Sequence, residues 1–224
     1  MKTKIFAVLF VLLSTLGMSM IDGFIAPPYL YKSILKVFLF GLIPLLFFLL
    51  RKKRNGHLKK LFLPKKKDFL LSLLLGIGVF SVILIAYFAL SPHIDLSRIE
   101  ASLTAGTGIT AENFLFVSLY ISFINSFVEE FFFRGFAFLF LKKETGRLFA
   151  YVYSAAMFAL YHVGMTGGWF NPFIYALALL GLFAGGCIFN FLNERSESLY
   201  PSWLVHMFAN FAINTIGFLL FDIL

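Results

Sequence analysis

The chain has 224 residues, 60% of them hydrophobic and 19% aromatic, with 32 Phe and a mean hydropathy of +0.91. No soluble domain is built this way, and the composition implies an all-α polytopic membrane protein. The net charge of +8 does not point to nucleic acid, because nine of the nineteen Lys and Arg fall between Arg51 and Lys67, between two apolar runs, the pattern of a loop facing anionic lipid.

Residues 1–20 carry Lys2 and Lys4, then an apolar stretch, then Gly17, Met18 and Ser19. A cleaved signal peptide and a retained helix both fit this pattern, and a retained helix over residues 5–21 is the preferred expectation. A turn with two prolines over 22–28 leads to a span over 31–50, which Pro44 is expected to kink. The basic loop 51–68 follows, then a span over 69–90 and a polar loop over 91–112 whose one basic residue is Arg98. Further spans are expected over 113–141, 148–163, 173–192 and 202–222. That makes seven spans, or eight, around a polar intramembrane cavity. Gly181 and Gly185 offer a close helix approach. Trp169 suits a membrane interface. The single cysteine, Cys187, excludes an intramolecular disulfide and reads as a packing residue.

Lys and Arg counts set the orientation. With the N-terminus in the cytoplasm, the inside segments hold 15 basic residues, against Arg98 outside and Lys32 and Lys36 near the outer end of the second span. A multi-pass protein of the plasma membrane, bacterial in its short length, is expected.

The fourth span is the unusual one. At 29 residues it is about 43 Å long if helical, enough to cross a bilayer of about 30 Å. Near its middle lie Glu129, Glu130 and Arg134. A charge there costs roughly 2.5–3.5 kcal/mol on insertion scales, so such groups face protein or water and mark a functional site by default. Glu130 and Arg134 are four apart and share a helix face, so they are expected to pair. Glu129 lies about 100° round the helix and is expected to be free for chemistry. A buried ion pair that only fixes packing is the blander alternative.

Two further spans carry polar groups. His162 follows Phe158 by four, and His206 precedes Asn210 by four. The other histidines, His57 and His93, fall in loops and read as solvated. Three helices that each bring such groups into lipid satisfy them most cheaply in one shared wet cavity. There is no H-E-x-x-H, no G-x-S-x-G, no P-loop and no aspartate deep in a span, which excludes several hydrolase and motor classes.

The motifs Glu129-Glu130-x-x-x-Arg134, Phe158-x-x-x-His162 and His206-x-x-x-Asn210 resemble those of the CPBP family, the CAAX-protease and bacteriocin-processing (Abi) intramembrane proteases. The resemblance covers about residues 113–214. It divides the chain into variable N-terminal helices over 1–112 and a catalytic core over 113–224. The segment Ser198-Leu199-Tyr200-Pro201-Ser202-Trp203 also resembles the family's lead-in, except that Glu197 stands where Gly commonly precedes the Ser.

The resemblance implies an intramembrane endopeptidase. Glu129 and His162 would hold and activate a water, His206 and Asn210 would donate to the oxyanion, and Glu130 and Arg134 would orient the site. No cofactor is expected. A divalent metal at the Glu/His site stays open, although a carboxamide is a poor zinc ligand. Partners would be a peptide or membrane-protein substrate and the bilayer, with no nucleic acid. The alternatives are a catalytically silent immunity or scaffold protein of the same fold, and a small proton-coupled transporter. Measured from the cytoplasmic ends, Glu129 lies about 18 Å deep and His162 about 21 Å, but His206 only about 6 Å. For these groups to meet, residues 193–203 must dip into the protein or the last span must begin deep.

Overall fold

A computed structural model describes residues 2–50, 55–64 and 68–224. Among these the chain is all helix and turn, and seven helices are long and apolar enough to cross a membrane: α1 (Lys2–Ile25), α2 (Tyr29–Leu50), α3 (Phe69–His93), α4 (Ala111–Thr145), α5 (Arg147–Thr166), α6 (Pro172–Ser196) and α7 (Tyr200–Leu220). Much of the expected basic loop, residues 51–54 and 65–67, lies outside the described residues; between those stretches Asn55–Leu61 is a short helix. The expectation for the His57 side chain also lies outside the described side chains.

Helix boundaries follow local chemistry. Thr110 and Asn113 form a capping box at the start of α4, and the Asn171 side chain accepts from Ile174 N at the start of α6, with Pro172 in the first turn. Gly146 alone separates α4 from α5. Its φ of 102° is one a side chain would oppose. Several stretches run in wide π turns, among them Val37–Leu42 in α2, and Tyr120–Asn125 and Phe131–Phe140 in α4. The first lies just ahead of Pro44, which has no N–H to give back along the helix.

α4 is the axis of the bundle. Every residue from Phe131 to Phe140 is buried. Phe132 stacks on Phe40 of α2 with centroids 4.0 Å apart, and Phe10 of α1 meets Phe132 and Phe136 edge-on. Phe133 meets Phe158 of α5 edge-on. These rings lock α1, α2 and α5 around α4.

α1 also docks on α5. Tyr153 Oη donates to Val8 O and Gly164 N donates to Ser19 Oγ. A Cβ on Gly164 would collide with the Ser19 backbone, so glycine permits this crossing. The expected close approach at Gly181 and Gly185 is not made, since neither has a neighbour within 4 Å of an added Cβ. Gly186, one residue on, is the contact, with the Ala155 backbone of α5 at 3.0 Å. The close approach falls on the single glycine that α6 turns inward, Gly186, and not on the four-residue pair.

Residues 193–203 do enter the protein. Ser196, Ser198, Leu199 and Ser202 are fully buried. The turn between α6 and α7 sits beneath the short helix before α3: Leu199 N donates to Leu61 O, and Lys60 pairs with Glu197 at 3.1 Å. Glu197 takes the left-handed conformation, φ 55°, the backbone state glycine adopts most readily.

Candidate active site

Four helices, rather than the expected three, bring polar groups to one place. α4 contributes Asn125, Glu129, Glu130 and Arg134; α5 contributes Tyr161 and His162; α7 contributes His206 and Asn210. The fourth contributor is α2, through Lys36. Glu129, Glu130, Arg134 and His206 are all buried, with at most 5% of their surface exposed.

Glu130 and Arg134 pair, with NH1 3.4 Å from Oε1. The contact is ionic: among the described residues none of the three guanidinium nitrogens has a hydrogen-bond partner. The guanidinium lies instead between two rings, 4.2 Å from the Phe158 centroid and 4.7 Å from that of Phe189, a stacking that its delocalised charge suits. Phe158 of the Phe158-x-x-x-His162 motif therefore acts on the arginine as well as on the histidine ring, which it meets edge-on at 4.8 Å.

Glu129 is not free, contrary to the expectation from helical spacing. Its Oε1 accepts from Lys36 Nζ at 3.1 Å and from Asn125 Nδ2 at 2.9 Å. Lys36 Nζ also donates to Asn125 Oδ1 at 2.6 Å and lies 4.9 Å from the Tyr161 ring centroid. Helical spacing on α4 alone carries no information about a partner on α2. Lys36 was read as a charge near the outer end of its span, but it is buried, as is Lys32, which pairs with Asp22 at 3.0 Å. The signal available was the four-residue spacing of the two lysines, which puts both on one face of α2.

His206 bridges the two glutamates. Its Nδ1 is 2.9 Å from Glu130 Oε1 and its Nε2 is 3.8 Å from Glu129 Oε2. Because a carboxylate only accepts, Nδ1 carries the proton and Nε2 faces Glu129. The ring stacks on Phe189 at an interplanar angle of 26°. His162 follows the same rule: its Nδ1 is 2.8 Å from Phe158 O, so its Nε2 is the nitrogen left for other partners. It and Glu129 are close enough to act on each other electrostatically. Asn210 Nδ2 donates to Ile121 O across the α4–α7 contact at 3.1 Å, leaving the second N–H of the amide.

The Oε1 of Glu129 is occupied by the Lys36 ammonium, and a second positive charge beside it would be repelled. Among the described residues no group of three or more His, Cys, Asp and Glu side chains is placed to hold a metal ion.

A cavity of about 440 Å³ lies between the start of α2 and the start of α4, lined by Tyr29, Ser33, Ile109, Phe116, Val117 and Tyr120 among others. The Tyr29 and Tyr120 rings meet edge-on at 6.0 Å. Ser33 is one turn before Lys36 on α2, but no residue of the glutamate cluster lines the cavity.

Residues 111–212 match the family model described as Rce1-like, type II CAAX prenyl endopeptidase Rce1-like. The match takes in all three motifs and is the family the motifs resemble. No curated protein and no solved structure gives a match.

Proposed function

We propose that this chain is an intramembrane endopeptidase in which Glu129 activates the attacking water. The observation that carries the reading is the asymmetry of Glu129: Oε1 is taken by Lys36 and Asn125, while Oε2 faces His206 Nε2 across 3.8 Å. A water placed off that line reaches both atoms. Glu129 Oε2 takes a proton from the water as its oxygen attacks the scissile carbonyl carbon, and the same proton passes to the leaving amine nitrogen as the C–N bond breaks. Peptide and water give a carboxylic acid and an amine, the acid's proton then passes to the amine so that they leave as carboxylate and ammonium, and the carboxylate of Glu129 is restored.

His162 Nε2 accepts from the water and fixes its direction. His206, when protonated, stabilises the developing oxyanion through Nε2, with the Glu130 carboxylate at its other ring nitrogen. Asn210 adds its second N–H. Arg134 balances Glu130. Donors already in place before reaction are worth several kcal/mol of barrier in such sites. The mechanism is metal-free, a reading supported by the ammonium at Glu129. The family description points to a prenylated C-terminal CAAX sequence as the first substrate class to try. The distribution of basic residues supports a cytoplasmic N-terminus and a site in the plasma membrane.

The test is cleavage of a prenylated CAAX reporter peptide, and of an unprenylated copy, by purified protein in detergent. Glu129→Gln keeps the shape and removes the basic oxygen. It should elute as a folded protein and lose at least 10²–10⁴ in rate, the usual worth of a general base. Full activity in Glu129→Gln would leave a scaffold role. Chelator inactivation that added metal reverses would replace the glutamate mechanism.

A further inference from the structure

We infer that Lys36 is a positioning residue for Glu129: with Asn125 it fixes Oε1, and so selects Oε2 as the oxygen that meets the water. The inference rests on the peptidase reading of the same site. It adds to that site a helix that carries none of the three motifs.

Lys36, Asn125 and Glu129 form a closed triangle. Nζ donates to Asn125 Oδ1 and to Glu129 Oε1, and Asn125 Nδ2 donates to the same Oε1. The amide fits in only one orientation, because the reverse would set its N–H groups against the ammonium. The third side of the ammonium meets the Tyr161 ring. Two of its three N–H donors are held by Asn125 and Glu129 and its open side faces the Tyr161 ring, which makes it a positioning group rather than a catalytic one.

Removing a carboxylate from water is costly unless a cation and hydrogen bonds replace its hydration. Arg134 cannot do this for Glu129 since it is spent on Glu130, so the ammonium from α2 does. Two glutamates thus have two cations, from two different helices. Each glutamate keeps its own cation: one pair orients His206, and the other aims the base.

The experiment uses the reporter cleavage above with the full chain. Lys36→Met leaves Glu129 buried without its cation, so its abundance should fall, and the folded fraction, purified and assayed at equal protein, should lose about 10²-fold in kcat, the scale of a misaimed catalytic group, with KM moving less than about threefold. Ethylammonium added to Lys36→Met should restore part of kcat and should do nothing for Glu129→Gln. Lys36→Arg, which keeps the charge, should fall between wild type and Lys36→Met. A folded Lys36→Met with wild-type kcat, or a loss carried by KM alone, overturns the inference. If Lys36→Met does not fold, Lys36→Gln decides on the same readouts; if every variant including Lys36→Arg is lost from the membrane, Lys36 is structural and the inference is wrong. Equal cleavage by wild type and Glu129→Gln would end the peptidase reading and this inference with it, whereas loss in Glu129→Gln with none in Lys36→Met ends this inference alone.

Discussion

Helices α3 and α4 are built on opposite plans. α3 has the highest mean hydropathy of the seven, 2.8, with 11% of its most apolar stretch buried inside the protein; α4 has a mean hydropathy of 1.4, with 44% buried. In a water-soluble protein the ranking would be reversed. Here the solvent is hydrocarbon, so an apolar helix loses nothing by facing outward, and a helix with charges must be wrapped in protein. The rings of α1, α2 and α5 are that wrapping. Low hydropathy marks α4 and α5, which both line the site, but α2 reaches the site through Lys36 despite its apolar composition.

The largest stability effect should come from stripping the wrapped helix of one charge. Arg134→Ala leaves Glu130 fully buried without its cation and empties the space between Phe158 and Phe189. Breaking a buried pair from one side costs roughly 3–5 kcal/mol. Membrane abundance and the thermal midpoint in detergent should both fall, together with activity. A variant as abundant and as heat-resistant as wild type would show that α4 does not depend on internal charge balance.

The sequence made the two plans legible to different degrees. All seven spans could be read, because an apolar run of bilayer length rarely forms anything but a membrane helix. Glu129, Glu130, Arg134 and His206 could be read because charge and imidazole stand out against Phe and Leu. Lys36 could not. A lysine a few residues from the end of an apolar run has the same local pattern whether it snorkels to the interface or turns inward to Glu129. The choice depends on a partner 93 residues away, and span-by-span reading contains no pairing between spans. The wide turns of α4 escaped for a related reason, since a long Phe run has no breaker to mark them. Gly186 was passed over for Gly181 and Gly185 because a four-residue spacing is visible in the sequence and a helix rotation is not.

A smaller effect lies at the corner between α6 and α7, where Glu197 holds φ 55°. Left-handed backbone costs a residue with a side chain roughly 1–2 kcal/mol. The Lys60–Glu197 pair given up in exchange has 59% and 45% of its side chains exposed, and exposed pairs contribute about 0–1 kcal/mol. Glu197→Gly should therefore be neutral to stabilising by about 1 kcal/mol, read as a small rise in the thermal midpoint. A clear fall would mean that the clasp from Lys60 holds the buried turn more strongly than the strained backbone opposes it.

The smallest effect tests the comparison on one side chain in two solvents. Val82 lies on α3 with 65% of its surface exposed, while Val11 lies on α1 fully buried. Val→Ala removes the same atoms at both sites. At Val11 the missing methyls leave a gap among packed neighbours, which costs on the order of 2 kcal/mol. At Val82 lipid or detergent tails close over the shortened side chain, so one hydrocarbon surface simply takes the place of another. Val82→Ala should thus stay within about 0.5 kcal/mol of wild type, as substitutions away from packed features do. The two variants are compared by thermal midpoint in the same detergent. Equal losses would mean that α3 packs against protein that its exposure does not reveal, for instance a second copy of the chain. A loss at Val11 alone would confirm that the lipid-facing helix is held by its inner face, where Gly76 lies against Phe208 of α7.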